Sequence, residues 1–343
     1  MRIFVAGATG VIGRPLVAAL LGAGHEVTAL ARTPEKARAL EAQGAEAAVA
    51  DAFDAERVRE AVVGARPEVL IDQLTALPRT MNVRKYLDSL EPTDRLRGET
   101  TPTFLAAARE AGARRVIFQS VAFSTVMEGP WVLDETAPLL DWPHLAGLRK
   151  MERLVLGAEA LEGVVLRYGF FYGPGTYYAP DGEMAALARK RQLPIVGSGE
   201  GRSSFVHVGD AVAATLLALD HGGPGVYNVT DDEPAAAKDW IPEIARLAGA
   251  KPPRHLPAWV VRLVAGKGVT LLSTDLRGNS NAKARAELGF APRFPRWREG
   301  FAAVFAAAPE RAATRRRAVR ARPYVSRQRT LWRLPPDGPP DHP

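Results

Sequence analysis

Three glycines at fixed spacing, Gly7, Gly10 and Gly13, stand in the run Val5-Ala6-Gly7-Ala8-Thr9-Gly10-Val11-Ile12-Gly13. An apolar strand pattern, Ile3 to Ala6, precedes them, and a helical pattern, Val11 to Leu21, follows. In such a turn Gly7 permits the tight bend and Gly10 lets backbone amides approach a pyrophosphate. Gly13 lets the helix pack against the sheet, while the helix N-terminus favours the anion. A merely tight turn would explain Gly7 but gives little reason for Gly10. With a second strand at His25 to Ala31, the loop predicts a dinucleotide site to which Thr9, Gly10, Val11 and Ile12 contribute. An acidic side chain ending that second strand would hold the ribose hydroxyls of NAD, whereas a basic one accepts a 2′-phosphate. Here Arg32 and Thr33 stand at that end, and no carboxylate follows until Glu35, so NADP(H) is favoured over NAD(H).

Groups able to move protons are fewer. His144 offers an imidazole that serves as acid or base near neutral pH. It also follows Pro143 at a helix start, where a histidine can be a surface or capping residue. Tyr172, Tyr177 and Tyr178 place phenols in a glycine-rich segment that should border the cleft, and are expected to pack or bind substrate. His207 and Asp210 read as structural, with Asp210 capping the next helix. The six histidines show no close paired spacing and there is no cysteine, so no metal site is expected and disulfides are excluded.

These residues must be positioned by an alternation of short apolar runs and amphipathic helical patterns. Strands are expected at about residues 2–6, 26–31, 46–50, 68–72, 115–120 and 163–168, with helices between them. That pattern makes the fold class α/β, a Rossmann-type doubly wound parallel sheet with a smaller C-terminal substrate lobe. Residues 1–168 form the nucleotide-binding domain, to which 205–220 return. Residues 169–308 form the substrate lobe, and 309–343 a basic Arg/Pro-rich tail. Nine arginines against Glu310, Asp337 and Asp341 give that tail most of the net charge of +7, leaving a nearly neutral body. Charge so placed argues against a nucleic-acid-binding fold. No apolar run is long enough to span a membrane, and the expectation is a cytoplasmic protein acting on a small-molecule substrate.

The loop, Asp51 after the third strand, Leu166-Arg167-Tyr168-Gly169-Phe170-Phe171-Tyr172-Gly173-Pro174-Gly175 and Phe205-Val206-His207-Val208-Gly209-Asp210 occur in order. In this the chain resembles an extended short-chain dehydrogenase/reductase of the NAD(P)-dependent epimerase/dehydratase family, over roughly residues 1–300. The resemblance implies that Asp51 and Ala52 contact adenine and that Gln73-Leu74-Thr75-Ala76 lines the cofactor. It sets Tyr168, Phe170 and Phe171 near the nicotinamide, and implies pairing into a homodimer. The family's chemistry uses a tyrosine, a lysine four residues later and a serine or threonine after the fifth strand. Aligning Glu152-Arg153-Leu154-Val155 puts His144 at the tyrosine position and Leu148 at the lysine position. Lys150 lies six residues beyond His144, about 240° around a helix, and shares no face with it. Val121 falls where the family has its hydroxyl, leaving Ser120 or Ser124 as replacements. His144 and Ser120 are therefore the catalytic candidates. Two readings follow: an NADP(H)-dependent oxidoreductase or epimerase-like enzyme acting on a carbonyl or hydroxyl compound with altered proton-transfer groups, or a non-catalytic NADP(H)-binding sensor.

Overall fold

In the computed structural model, which describes residues 1–78 and 88–307, short apolar runs become strands and the amphipathic segments between them become helices. The first half runs β1 (Arg2–Ala6), α1 (Gly13–Gly22), β2 (Glu26–Ala31), α2 (Pro34–Glu41), β3 (Glu46–Val49), α3 (Ala55–Ala65), β4 (Val69–Asp72), α4 (Glu91–Glu110) and β5 (Arg115–Val121). Next come β6 (Val132–Leu133), α5 (Ala146–Leu156), β7 (Glu162–Tyr168), β8 (Phe170–Tyr172), α6 (Glu183–Arg189), β9 (Ile195–Val196), β10 (Arg202–Ser203) and β11 (Phe205–His207). The described chain ends with α7 (Val208–Leu217), β12 (Gly225–Val229), β13 (Ala235–Ala236), α8 (Ala237–Leu247), β14 (His255–Leu256), α9 (Ala258–Thr274), β15 (Gly278–Asn279) and α10 (Trp297–Ala306).

Seven parallel strands in the order β12-β7-β5-β4-β1-β2-β3 form the central sheet. Its interior strands alternate between two buried faces. In β1, Ile3 and Val5 join α1 residues Leu16, Val17 and Leu20, whereas Phe4 and Ala6 join Val58 and Val62 of α3 and Phe104 of α4. Strands covered on both sides in this way read as continuous apolar runs rather than as alternation with polar residues. A third core gathers Tyr172, Tyr178, Phe205, Trp240, Trp297 and Phe301 beyond the sheet.

The chain departs from the sequence reading in three places. The first helix begins at Gly13 rather than Val11, because the Gly10 N–H closes a turn onto the Gly7 carbonyl at 2.9 Å before helical bonding starts. The edge strand β12, flanked by glycine and proline at Gly222-Gly223-Pro224-Gly225, was not expected, yet it pairs with β7 through Val226↔Val165 and Tyr227↔Leu166. The sheet thus draws one strand from beyond residue 220. Residues 206–219, with Ala284, Leu288 and Phe290, bury side chains in the core under α1. Residues Met1–Phe305 form one compact unit, and the tail expected at 309–343 lies outside the described residues. Among the described residues no helix is long and apolar enough to cross a membrane.

Candidate active site

At the carboxyl edge of β1 the glycines are fixed by close approach. A Cβ on Gly7, where φ is +78°, would lie 2.4 Å from the Gln73 carbonyl carbon, and one on Gly13 would lie 2.1 Å from the Gly7 carbonyl oxygen. Both contacts are closer than any real Cβ tolerates, so neither position takes a side chain without moving backbone. The resulting cradle has Gly10 and Val11 exposed and Thr9 half-buried ahead of the N-terminus of α1, which suits a pyrophosphate. Ile12 is different: its side chain is buried in the core beside Leu16, so only its backbone faces the loop.

Arg32 extends β2 into solvent and has no hydrogen bond or ion pair among the described residues. The Thr33 hydroxyl accepts the Lys36 N–H at 3.4 Å and caps α2, so it is already engaged. The sequence reading overlooked Arg14, whose Nε donates to the Thr9 carbonyl at 3.1 Å and holds a second exposed guanidinium against the cradle. A basic residue directly after the third glycine was the available signal. Asp51 is exposed and its Oδ1 accepts the Phe53 N–H at 3.0 Å, while Asp54 caps α3 in its place by accepting from Arg57. Ala52 is half-buried beside it.

Two of the residues set near the cofactor turn their side chains inward. Gln73 Nε2 donates to the Tyr168 hydroxyl at 3.2 Å, and that hydroxyl shares a 2.6 Å hydrogen bond with Thr215. Both residues are buried, and burial pushes the Tyr168 phenol up to about 12. Tyr168 is thus a pillar of the core. Leu74 is half-buried, its N–H bound to Asp72 Oδ1 at 2.8 Å, and Thr75 is exposed. Phe170 lies flat on Phe123, with centroids 4.3 Å apart and rings 5° from parallel, and Phe171 tilts against Tyr168. Both phenylalanines are half-buried at the carboxyl edges of β5 and β7.

The residues aligned with the family's proton-transfer groups lie at the end of β5 and at the start of α5. Val121 pairs with Tyr168 at the end of β5, where the family's hydroxyl is expected. Ser120 points to the opposite face, as strand alternation dictates. It is fully buried and donates to Glu152 Oε1 at 2.6 Å, while Glu152 Oε2 takes Arg167 Nη2 at 2.7 Å and Oε1 takes its Nε at 3.0 Å. This corrects the expectation for Ser120, whose hydroxyl belongs to a buried ion-pair network under α5. Ser124 donates to the Val121 carbonyl at 2.7 Å, so it too is engaged. Leu148 is fully buried, and its N–H and that of Gly147 are held by Asp94 of α4 at 2.9 and 2.8 Å. His144 sits in the 3-10 turn Pro143–Leu145, half-buried and without a hydrogen-bond partner among the described residues. His144 lies in the turn before α5, with Leu145 outside helical geometry between them (φ −123°), whereas Ser120 binds Glu152 in the body of that helix. The two catalytic candidates are therefore not brought together.

Tyr172, Tyr177 and His207 are engaged in packing or hydrogen bonds. Tyr172 is buried edge-on to Phe301, its phenol raised by burial and by the negative charge of Asp231, Asp210 and Glu299. The Tyr177 hydroxyl donates to the Pro78 carbonyl. His207 Nδ1, rather than Asp210, caps α7 by accepting the Gly209 N–H at 3.1 Å. Asp210 reaches across to the Arg293 N–H at 2.9 Å, because the first turn of α7 faces that later segment.

Fold and cradle together define a dinucleotide-binding enzyme of the short-chain dehydrogenase type. Residues 3–230 match the NAD dependent epimerase/dehydratase family, and the chain belongs to it. The 3-diazoavenalumate denitrifying reductase of a Streptomyces species is 47% identical over 307 residues, covering 88% of this chain and 99% of that protein. A 4-hydroxy-2-methyl-3-oxo-4-farnesyl-3,4-dihydroquinoline-1-oxide ketoreductase of Stigmatella aurantiaca is 29% identical over 325 residues, covering 85% and 92%. The solved UDP-glucose 4-epimerase of Thermus thermophilus, in complex with NAD, matches with a TM-score of 0.66 at 25% identity, covering 89% of this chain and 98% of that one. Between enzyme and sensor, the family and its reductase member side with the enzyme: the chain is an oxidoreductase of a nucleotide-dependent family.

Proposed function

We propose that the chain is an NADPH-dependent reductase that takes nitrogen off a diazo-bearing aromatic small molecule by hydride transfer, without a tyrosine–lysine proton relay. One contrast carries this reading. The nucleotide cradle is complete, yet His144, Leu148 and Val121 stand where the family's tyrosine, lysine and hydroxyl belong. Carbonyl reduction requires a proton on oxygen as hydride reaches carbon. In the reaction proposed, the C–N bond of an aryldiazonium leaves with its electron pair as dinitrogen, the hydride pair of NADPH forms the new C–H bond, and no proton is exchanged. The 47% identical relative, named as a denitrifying reductase of a diazo compound, supports that acceptor.

The chain's own residues then bind and orient. The Gly7–Gly13 cradle holds the pyrophosphate, Arg32 takes the 2′-phosphate, and Asp51 with Ala52 borders the adenine. Phe170 and Phe171 wall the nicotinamide end and exclude water. A reduced dinucleotide co-substrate and a chain without cysteine fit a cytoplasmic setting. Carbonyl reduction with His144 as the acid is the second reading, favoured by the partner-free imidazole and by the ketoreductase relative.

The deciding experiment follows the hydrogen. With NADPH deuterated at the transferred position and an ortho-diazophenol, deuterium is expected at the carbon that loses nitrogen. Unlabelled NADPH in deuterated water should leave that carbon unlabelled. His144→Phe should keep turnover within about threefold. Solvent-derived label, or a His144→Phe protein that binds NADPH normally but has lost turnover, would overturn this reading, and NADPH-dependent reduction of a ketone that His144→Phe abolishes would put the second in its place.

A further inference from the structure

Beyond the sheet edge, backbone pairing gathers two arginines around one indole. Gly278 donates to the Trp131 carbonyl at 2.9 Å as β15 lies beside β6, and Arg202 donates to the Leu276 carbonyl at 2.7 Å. The Arg277 guanidinium carbon thereby comes 4.0 Å from the centre of the Trp131 ring, and that of Arg202 comes 5.5 Å from it. Neither arginine has a carboxylate within ion-pair distance among the described residues, and the Nε of each is shut off from solvent without an acceptor. A buried donor left unsatisfied is costly, the more so when charged. Arg277 Nη1 donates to the Asp275 carbonyl at 2.9 Å, but the Nε of each arginine is left without an acceptor beside the one indole, and an anion bound there would supply a partner.

The neighbouring cations are already committed. Lys238 pairs with Glu200, and Lys283 donates to the Val226 carbonyl at 3.0 Å and lies over the Tyr227 ring. The place of the pair in the fold points toward the reacting end. Asn279, two residues beyond Arg277, reaches Thr125 through Nδ2 at 3.4 Å and Ser204 through its N–H at 2.8 Å, and the Ser204 carbonyl accepts the Phe170 N–H at 2.8 Å. The arginine pair is thus tied by short links to the stacked Phe123 and Phe170.

We propose that Arg202 and Arg277, oriented by Trp131, form an anchor for the carboxylate of an aromatic substrate whose ring extends toward Phe123 and Phe170. This rests on the reductase reading above and names the substrate class for that site. The planar fork of a guanidinium matches a carboxylate edge-on through two parallel hydrogen bonds, and an aromatic face fixes its plane. The surroundings are aromatic rather than rich in free polar donors. That suits a flat acid better than a nucleoside diphosphate, whose phosphates and ribose call for several more free donors.

The test is calorimetric and needs no turnover. Full-length protein saturated with NADP+ is titrated with cinnamate, with methyl cinnamate and with UDP-glucose, for the unmodified chain and for Arg202→Met, Arg277→Met and Arg277→Lys. Cinnamate is expected to bind at least about tenfold tighter than its ester, and each methionine variant should erase that difference, with Arg277→Lys between the two. Unchanged affinity for NADP+ shows that a variant is folded. Equal binding of acid and ester, no binding of cinnamate, a preference kept in both methionine variants, or UDP-glucose bound more tightly through the same arginines would each overturn the proposal. Cinnamate carries no leaving nitrogen, so this outcome is independent of whether hydride transfer to a diazo carbon is observed.

Discussion

At the scale of single residues, charge and burial separate side chains that look alike in the sequence. Arg32 and Arg167 are both arginines at the end of a strand. Arg167 is spent on Glu152 inside the protein, whereas Arg32 stands in solvent with no partner among the described residues. On the proposed reading this free guanidinium meets the 2′-phosphate, and a charge-assisted contact of that kind is typically worth about 1.5–3 kcal/mol. Arg32→Ala is therefore expected to weaken NADPH roughly 10- to 100-fold by fluorescence titration and to leave NADH unchanged. A loss of equal size for both nucleotides would show that Arg32 does not read the 2′-phosphate. Ser120 teaches the converse. Strand alternation already set it opposite Val121, but its partner Glu152 lies 32 residues away on α5, and no local pattern announces that bond.

At the scale of elements, the β1–α1 junction is built from clearances too small for a side chain. The carbonyl of Gly7 lies where a Cβ on Gly13 would stand, so Gly13→Ala must push α1 off the sheet or break the Gly7–Gly10 turn ahead of the helix end. Overpacking of this kind typically costs about 1–3 kcal/mol. The expected result is a lower Tm and loss of the rise in Tm that NADPH gives the unmodified protein. A variant that NADPH stabilises normally would mean that the helix end is not the pyrophosphate site. The α4–α5 pair follows the same rule: Gly147 sits against the Asp94 carbonyl, whose side chain caps the start of α5. That tight contact buries Leu148 and leaves His144 alone at the helix entrance.

At the scale of the whole molecule, a buried polar seam runs between the sheet and α4. Asp72, Leu74, Leu96, Arg97, Thr100, Thr101, Phe118, Gln119 and Met151 line a cavity of about 10 Å³, the space of one water molecule. Burial raises the Asp72 carboxyl from 3.8 to about 6, against the opposing pull of the Leu74 N–H and the Arg97 charge. The native state therefore holds this proton more tightly than the unfolded chain. Its contribution to stability is present below about pH 4 and is lost as pH rises through about 6. Asp72→Asn removes this dependence, so its stability relative to the unmodified protein should improve by about 2 kcal/mol between pH 4 and pH 7 in urea unfolding. A constant difference across that range would show that Asp72 ionises normally. The sequence by itself determined six of the seven strands of the central sheet and the glycine turn after the first of them, because each rests on local spacing or on a single residue type. Only tertiary structure decided that Ser120 and Tyr168 face the core, that β12 completes the sheet and that Arg202 and Arg277 meet over Trp131. Those outcomes depend on which distant segments pack together, and packing joins residues whose separation along the chain carries no periodic signal.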